Sequence, residues 1–431
     1  MSKKFSLVAQ ALAGAALLLA LALLAARPAE SAANDVGPVA NGTLPGPFPL
    51  FPSTNWWNLD ITSWPVDSNS AAFISFINNG GTRHLHPDFG GDVSPGSADI
   101  YGMPYIVVDG TQTKKAVQFL YSDESDGVDH STDTSYPFYP IPDQAITQPH
   151  WIEGGWPGNQ DLRSSNDRHM LIVDRDNKYL YELYNVFFDG TRWLGGSGAF
   201  FDMNTNDRRP DGWTSADAAG LAILPGLVRS DETYGPDEIG HAFRVTVRAT
   251  NGYVYPASHR AGSTSGALPM GARLRLKPAR DISSAQKIFR AMKKYGLIVA
   301  DNGSDMYITG TYDTRWNNDT LNPAFAGLVA SDFEVITLGY NPPAPTPTAT
   351  QVPATTPTAT PTATPTQSLP TATATRTPTA TRTPTAAVTA SPTSAPPTAT
   401  LTPTPTPTKT PRGPKPTKTP RRTVTLTRLA R

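Results

Sequence analysis

Two glutamates stand in sequence surroundings that suit acid–base chemistry. Glu153 lies between Trp151 and Trp156 in the segment HWIEGGW, and Glu182 lies in the aromatic segment YLYELYN. An apolar wall disfavours an ionised carboxylate and raises its pKa, as acid catalysis at neutral pH requires. Because glycosidic bonds are hydrolysed by two carboxyl groups that face each other across a cleft, we predict Glu153 and Glu182 as an acid/base and nucleophile pair.

Two histidines offer a second route to catalysis. His169 and His241 could act as the base of a polysaccharide lyase, because an imidazole changes its charge close to neutral pH. The alternative is that Glu182 and His169 are buried structural groups, each satisfied by a neighbouring partner. The residue types leave both interpretations open.

Tryptophan side chains are candidates for sugar contacts. We predict Trp57, Trp151 and Trp156 as stacking platforms, with His259 beside them, since an exposed indole can lie flat on a sugar ring. Neighbouring residues of a strand face opposite ways, so one of Trp56 and Trp57 is expected in the core and the other on the surface. The alternative role for these indoles is to fill the end of a β-sandwich.

Two segments contain possible metal ligands. His84 and His86 share one face of a predicted strand, and Asp88 adds a carboxylate, a workable ligand set for a metal-dependent hydrolase. The acidic loop Ser122–His130 has four carboxylates, which indicates a possible Ca²⁺ site. The alternatives are surface histidines and a solvated loop. The chain has no cysteine, which excludes thiolate zinc sites and cysteine nucleophiles.

Strands are the elements that must position these residues. The apolar run Met170–Val173 and the alternating run Tyr179–Asn185 flank a polar turn, which predicts a β-hairpin. Other strand-like runs recur along the chain, whereas helical patterns are confined to Ala71–Asn79 and Asp281–Tyr295. We therefore predict a mainly β fold, an antiparallel β-sandwich of jelly-roll type with about two helices.

The two ends of the 431-residue chain have their own compositions. Residues 1–33 begin with basic residues, continue with an apolar run and end with small residues, which predicts a cleaved signal peptide. An uncleaved membrane anchor is the alternative. Residues 34–54 are expected to form an extended lead-in, and residues 55–340 a single β-rich globular domain. Residues 341–431 are Pro/Thr-rich and predict a disordered linker with a basic end.

Charge is distributed unevenly along the chain. Residues 341–431 contain ten Lys and Arg and no acidic residue, whereas residues 34–340 contain 35 acidic and 23 basic residues. An acidic body argues against nucleic acid as a partner and suits a soluble monomer. We expect a secreted or cell-surface protein that meets a membrane only through an uncleaved leader.

Three sequence blocks resemble those of a large family of secreted bacterial proteins. They are GWTSADAAGLAILPGLVR, PMGARLRLKP and KKYGLIVADNGS, and the resemblance spans roughly Asn55 to Glu334. It implies that this span is one domain and implies no activity. The Pro/Thr-rich tail is also similar to linkers of secreted polysaccharide-degrading enzymes, a likeness of layout alone.

The sequence thus predicts a carbohydrate-active protein whose partner is a polysaccharide or cell-wall glycan. The leading hypothesis is a hydrolase or lyase that uses the carboxylates and histidines named above. One alternative is a non-catalytic glycan-binding or surface protein, which needs the aromatic residues but no acid pair. The other is the metal-dependent hydrolase.

Overall fold

The computed structural model describes residues 37–280, 285–339 and 341. The chain divides into two units, Met1–Ala344 and Pro345–Arg431, and every described residue belongs to the first. The predicted signal peptide, nearly all of the Pro/Thr-rich tail and the first residues of the predicted helix Asp281–Tyr295 lie outside the described residues. Within the described part, no helix is long and apolar enough to cross a membrane.

Strands dominate the described residues, which confirms the prediction of a mainly β protein. In chain order, strands β1 to β16 are Val39–Ala40, His86–Asp88, Tyr105–Val108, Val117–Phe119, Val128–Asp129, Thr134–Ser135, Met170–Asp174, Tyr179–Tyr184, Phe187–Phe188, Trp193–Gly195, Ser197–Asp202, Phe243–Val247, Arg273–Leu276, Leu297–Asn302, Tyr307–Thr309 and Phe333–Val335. Helices α1 to α5 are Ser70–Asn78, Gln144–Thr147, Ser230–Tyr234, Gln286–Lys294 and Asn318–Ala326.

A five-stranded sheet in the order β1-β3-β7-β8-β11 contains the predicted hairpin. Strands β7 and β8 pair antiparallel, with Met170 opposite Leu183 and Asp174 opposite Tyr179. Strand β7 is buried along its whole length, because one core lies on each face of this sheet. Burial on both faces explains why Met170–Val173 reads as a continuous apolar run.

A six-stranded sheet in the order β16-β13-β14-β12-β15-β2 forms the other large layer. Strands β12 and β14 pair parallel, as do β15 and β2, and in the first sheet β3 and β7 are also parallel. The sheets are therefore mixed, and the predicted antiparallel jelly-roll sandwich is not what the strands form. The parallel pairs join segments far apart in sequence, which local patterns do not reveal.

Helices and the lead-in complete the packing. Helix α4 buries Ile288, Phe289 and Met292 in a core that it shares with the six-stranded sheet. The described part of the lead-in joins the body, since β1 pairs with β3 and Leu44, Leu50 and Phe51 are buried. The described residues of the lead-in therefore pack against the body.

Candidate functional site

The predicted catalytic pair is split between different partners. Glu153 lies in a loop that Arg168 holds by donating to the carbonyls of Trp156 and Pro157, at 2.8 Å each. The Oε2 atom of Glu153 is 2.7 Å from Nδ1 of His169, and Nε2 of His169 is 3.1 Å from the carbonyl oxygen of Ala216. Both ring nitrogens of His169 thus face acceptors.

Two acceptors favour a doubly protonated ring. Burial opposes the charged imidazole, yet the Glu153 carboxylate outweighs it and raises the pKa of His169 to about 9. In return, His169 holds the pKa of Glu153 below its ordinary range, against the effect of burial. The imidazolium has no free lone pair with which to accept a proton. The pair is therefore built as an ion pair and not as a catalytic base.

Glu182 is fully buried under a turn of the chain. Its Oε2 accepts from the backbone N–H of Ile223 at 2.7 Å and its Oε1 from that of Leu224 at 2.9 Å. Burial raises the pKa of Glu182 to about 7, and the two N–H donors oppose that rise. Both oxygens are occupied, so Glu182 fastens the turn Leu224–Gly226 to the sheet and does not open into a cleft.

An ion pair that the sequence did not reveal lies beside these groups. Arg244, the second residue of β12, donates to both carboxylate oxygens of Asp217 at 2.8 and 3.1 Å and to the Thr309 hydroxyl at 2.7 Å. Asp217 contributes to the raised pKa of Glu182. The sequence does contain one signal for this ion pair, namely a charged residue inside an apolar strand. Such a residue is rarely buried without a partner.

The other predicted catalytic and sugar-contacting residues are also occupied or buried. His241 is buried, and its Nε2 is 2.9 Å from Glu232 Oε2. His259 is only partly accessible, and its Nδ1 is 2.8 Å from the carbonyl oxygen of Ala218. Both of these histidines therefore have protein partners in place of a substrate.

The tryptophans differ from the prediction in their exposure. Trp56 and Trp57 are both buried, because Trp56–Asn58 is a 3₁₀ helix and not a strand that turns one of them outward. Trp151 is also buried, whereas Trp156 is half-buried and donates its indole N–H to Asp99. Trp57 and Trp151 thus cannot serve as exposed stacking platforms.

The predicted metal ligands do not gather around a common point. His84 is exposed and its Nδ1 is 2.7 Å from the carbonyl oxygen of Ala326, while His86, in the strand that also contains Asp88, stacks on Tyr307 with ring centres 4.5 Å apart. In residues 37–280 and 285–339, no three His, Asp or Glu side chains could together hold a metal ion.

In the predicted calcium loop, three of the four carboxylates are bound by protein donors. Glu124 accepts from the Thr214 backbone N–H at 3.0 Å. Asp126 pairs with Arg209 and accepts from the Phe200 N–H at 2.8 Å, and Asp129 accepts from Ser131. The Ca²⁺ hypothesis therefore gains no support here.

A polar cleft with a volume of about 200 Å³ opens elsewhere on the body. We call it the Asp231–Asp313 cleft. Its lining comes from the lead-in, from β3, from the start of α3 and from the segment after β15: Asn41, Gly42, Thr43, Leu44, Phe48, Tyr105, Ser230, Asp231, Thr311, Tyr312, Asp313 and Arg315. None of the residues predicted from the sequence lines it.

Charged and hydroxyl groups in this cleft are bonded into a chain. Arg315 Nη2 donates to the Ser230 hydroxyl and to Asp313 Oδ2, each at 2.7 Å, and the Ser230 hydroxyl donates to Asp313. Burial opposes ionisation of Asp313, but the bonds from Arg315 and Ser230 hold its pKa below the ordinary value. Burial raises the pKa of Tyr105 to about 12, so its hydroxyl keeps its proton.

Comparisons with known proteins give the chain no family assignment. No family model matches it, and no match was found among curated proteins or solved structures. The chemistry of the described residues is therefore the basis for the functional conclusion.

Proposed function

We propose that the chain is a non-catalytic carbohydrate-binding protein, exported from the cell, that binds a neutral sugar in the Asp231–Asp313 cleft. The observation that carries this proposal is the lining of the cleft. Sugar hydroxyls need both donors and acceptors, and the cleft offers carboxylates, hydroxyls and a guanidinium together. Phe48, whose side chain is 49% exposed, adds an aromatic surface of the kind that packs against a sugar ring.

The charge balance of the cleft favours a neutral sugar over an acidic one. Asp313 is paired with Arg315, and Asp231 lies 3.1 Å from the buried guanidinium of Arg229. Among the described residues that line the cleft, no positive charge is left in excess to attract a uronic acid or a sulfated sugar. The volume is below the roughly 300–1,000 Å³ of pockets for drug-sized ligands, which suits one sugar unit better than a long stretch of chain.

The state of the carboxyl groups favours binding over hydrolysis. A glycosidase needs one carboxyl group that keeps its proton near neutral pH. Within the described part of the chain, burial raises the pKa of Glu182 and of Asp217, and both are buried with protein partners. Asp313, which does line the cleft, has a lowered pKa, the opposite of what such an acid needs.

A panel of polysaccharides and neutral oligosaccharides tests this proposal. The full chain is assayed for retention on each glycan and, in parallel, for release of reducing ends and of unsaturated products. We expect binding to at least one neutral glycan with no product formed. Product formation would overturn the non-catalytic assignment, and the absence of binding to every neutral glycan would overturn the proposal itself.

A further inference from the structure

Arg273 is a buried cation whose hydrogen bonds all go to neutral groups. It lies in β13 and is 5% exposed. Its guanidinium donates to the backbone carbonyls of Trp56 and Tyr295 at 2.8 Å each, and more weakly to that of Leu59 at 3.4 Å. A buried charge is costly unless an opposite charge compensates it.

Other buried arginines have that compensation. Arg209 pairs with Asp126, Arg229 with Asp231, Arg244 with Asp217 and Arg275 with Glu334. Arg168 also donates to backbone carbonyls. Burial lowers the pKa of Arg168, and the charges of Glu153 and Asp161 oppose that effect. Among the described residues, no carboxylate lies within 4.0 Å of Arg273. Burial lowers the pKa of Arg273 to about 9, and only Tyr255 opposes this lowering.

A small cavity adjoins Arg273. Its volume is about 20 Å³, and Arg273 lines it together with Trp56, Trp64, Tyr255 and Thr337. A space of this size holds about one water-sized particle. The indole N–H of Trp56 has no acceptor among the described residues. The lining residues therefore include a guanidinium that has no carboxylate partner in the described part of the chain and lies 5.7 Å from the centre of the Trp64 ring, and a tryptophan whose indole N–H is an unused donor.

We propose that this cavity is a binding site for one small monovalent anion of about the size of chloride. The anion would supply the negative charge that no carboxylate provides near Arg273. It would also accept hydrogen bonds from the remaining N–H groups of the guanidinium. The aromatic walls favour a weakly hydrated ion and leave no room for a polyatomic anion such as sulfate. This site lies outside the Asp231–Asp313 cleft and does not depend on the proposed function.

Thermal unfolding of the full chain tests the site. Sodium chloride replaces sodium gluconate at constant ionic strength, because gluconate is too large for the cavity. Binding to the folded state alone raises the Tm with the logarithm of chloride concentration above Kd. We expect such a rise for the wild type and for Arg290→Gln, which removes an exposed arginine elsewhere, and its loss in Arg273→Gln.

A second measurement needs no variant, since Arg273→Gln also removes a clamp on three carbonyls and can unfold the chain. Crystals of the wild-type chain grown with sodium bromide should give an anomalous peak in contact with the Arg273 guanidinium. Equal Tm values in chloride and gluconate, or a bromide-grown crystal without a peak in this cavity, would overturn the proposal and leave Arg273 as a purely structural clamp.

Discussion

The ion pair between Glu153 and His169 should make the stability of the protein depend on pH in a defined direction. The perturbation is Glu153→Gln, which keeps the size of the side chain and removes its charge. His169 is 5% exposed in its side chain, so little solvent screens the pair. Without the carboxylate, burial favours the neutral ring and the imidazolium loses its stabilisation.

The magnitude follows from the pKa of His169. This pKa is about 9 in the folded chain against an ordinary value of 6.5. Because the folded value is the higher one, the contribution is complete below pH 6.5 and is lost as the pH rises through 9. At 1.36 kcal/mol per pKa unit it amounts to roughly 2–3 kcal/mol at pH 7 and to well under about 1 kcal/mol above pH 9.

Urea denaturation of both chains between pH 7 and pH 10 provides the assay. The free energy of unfolding of Glu153→Gln should be lower by roughly 2–3 kcal/mol at pH 7, and this difference should close towards pH 10. Groups that titrate equally in both chains cancel in the difference. Glu238→Gln, which breaks an exposed pair with Arg290, should show a small difference that does not change over this range. A constant gap for Glu153→Gln would refute the imidazolium assignment.

Two further predictions concern the stability of the folded chain. Glu182→Gln should lower the free energy of unfolding by about 1–3 kcal/mol, because the amide of the variant can accept from only one of the two N–H donors. Glycan binding should stay unchanged. A loss of binding without a loss of stability would contradict the structural role of Glu182. Gly155→Ala should lower the free energy of unfolding by at least about 2 kcal/mol, because the φ angle of Gly155 is +84° and a Cβ there would lie 1.8 Å from the carbonyl oxygen of Ala98. An unfolding midpoint equal to that of the wild type would contradict this prediction.

Local patterns in the sequence were sufficient to predict the elements that depend on residues close together in the chain. The hairpin of β7 and β8 was predictable because an apolar run, a polar turn and an alternating run follow one another directly. The helix over Ser70–Asn78 was predictable from its composition and ends at Asn79, which adopts a left-handed conformation. In both cases the decisive interactions lie within a few residues.

Contacts between distant segments account for what the sequence did not reveal. The parallel pairing of β3 with β7 joins segments more than sixty residues apart, and Glu182 binds N–H groups forty-one and forty-two residues away. An isolated glutamate among apolar neighbours looks the same whether it faces a cleft or a buried turn. The Asp231–Asp313 cleft likewise draws its lining from four separate segments, none of which carries a recognisable motif.

Calorimetric titration with a glycan that the full chain retains is the most direct test of the central claim, the binding of a neutral sugar in the Asp231–Asp313 cleft. Arg315 and Arg290 are both exposed and both paired with a carboxylate, but Arg315 alone of the two lines the cleft. Arg315→Gln should weaken binding at least tenfold, about 1.4 kcal/mol, and Arg290→Gln should bind like the wild type. Equal affinities for all three chains would contradict the claim.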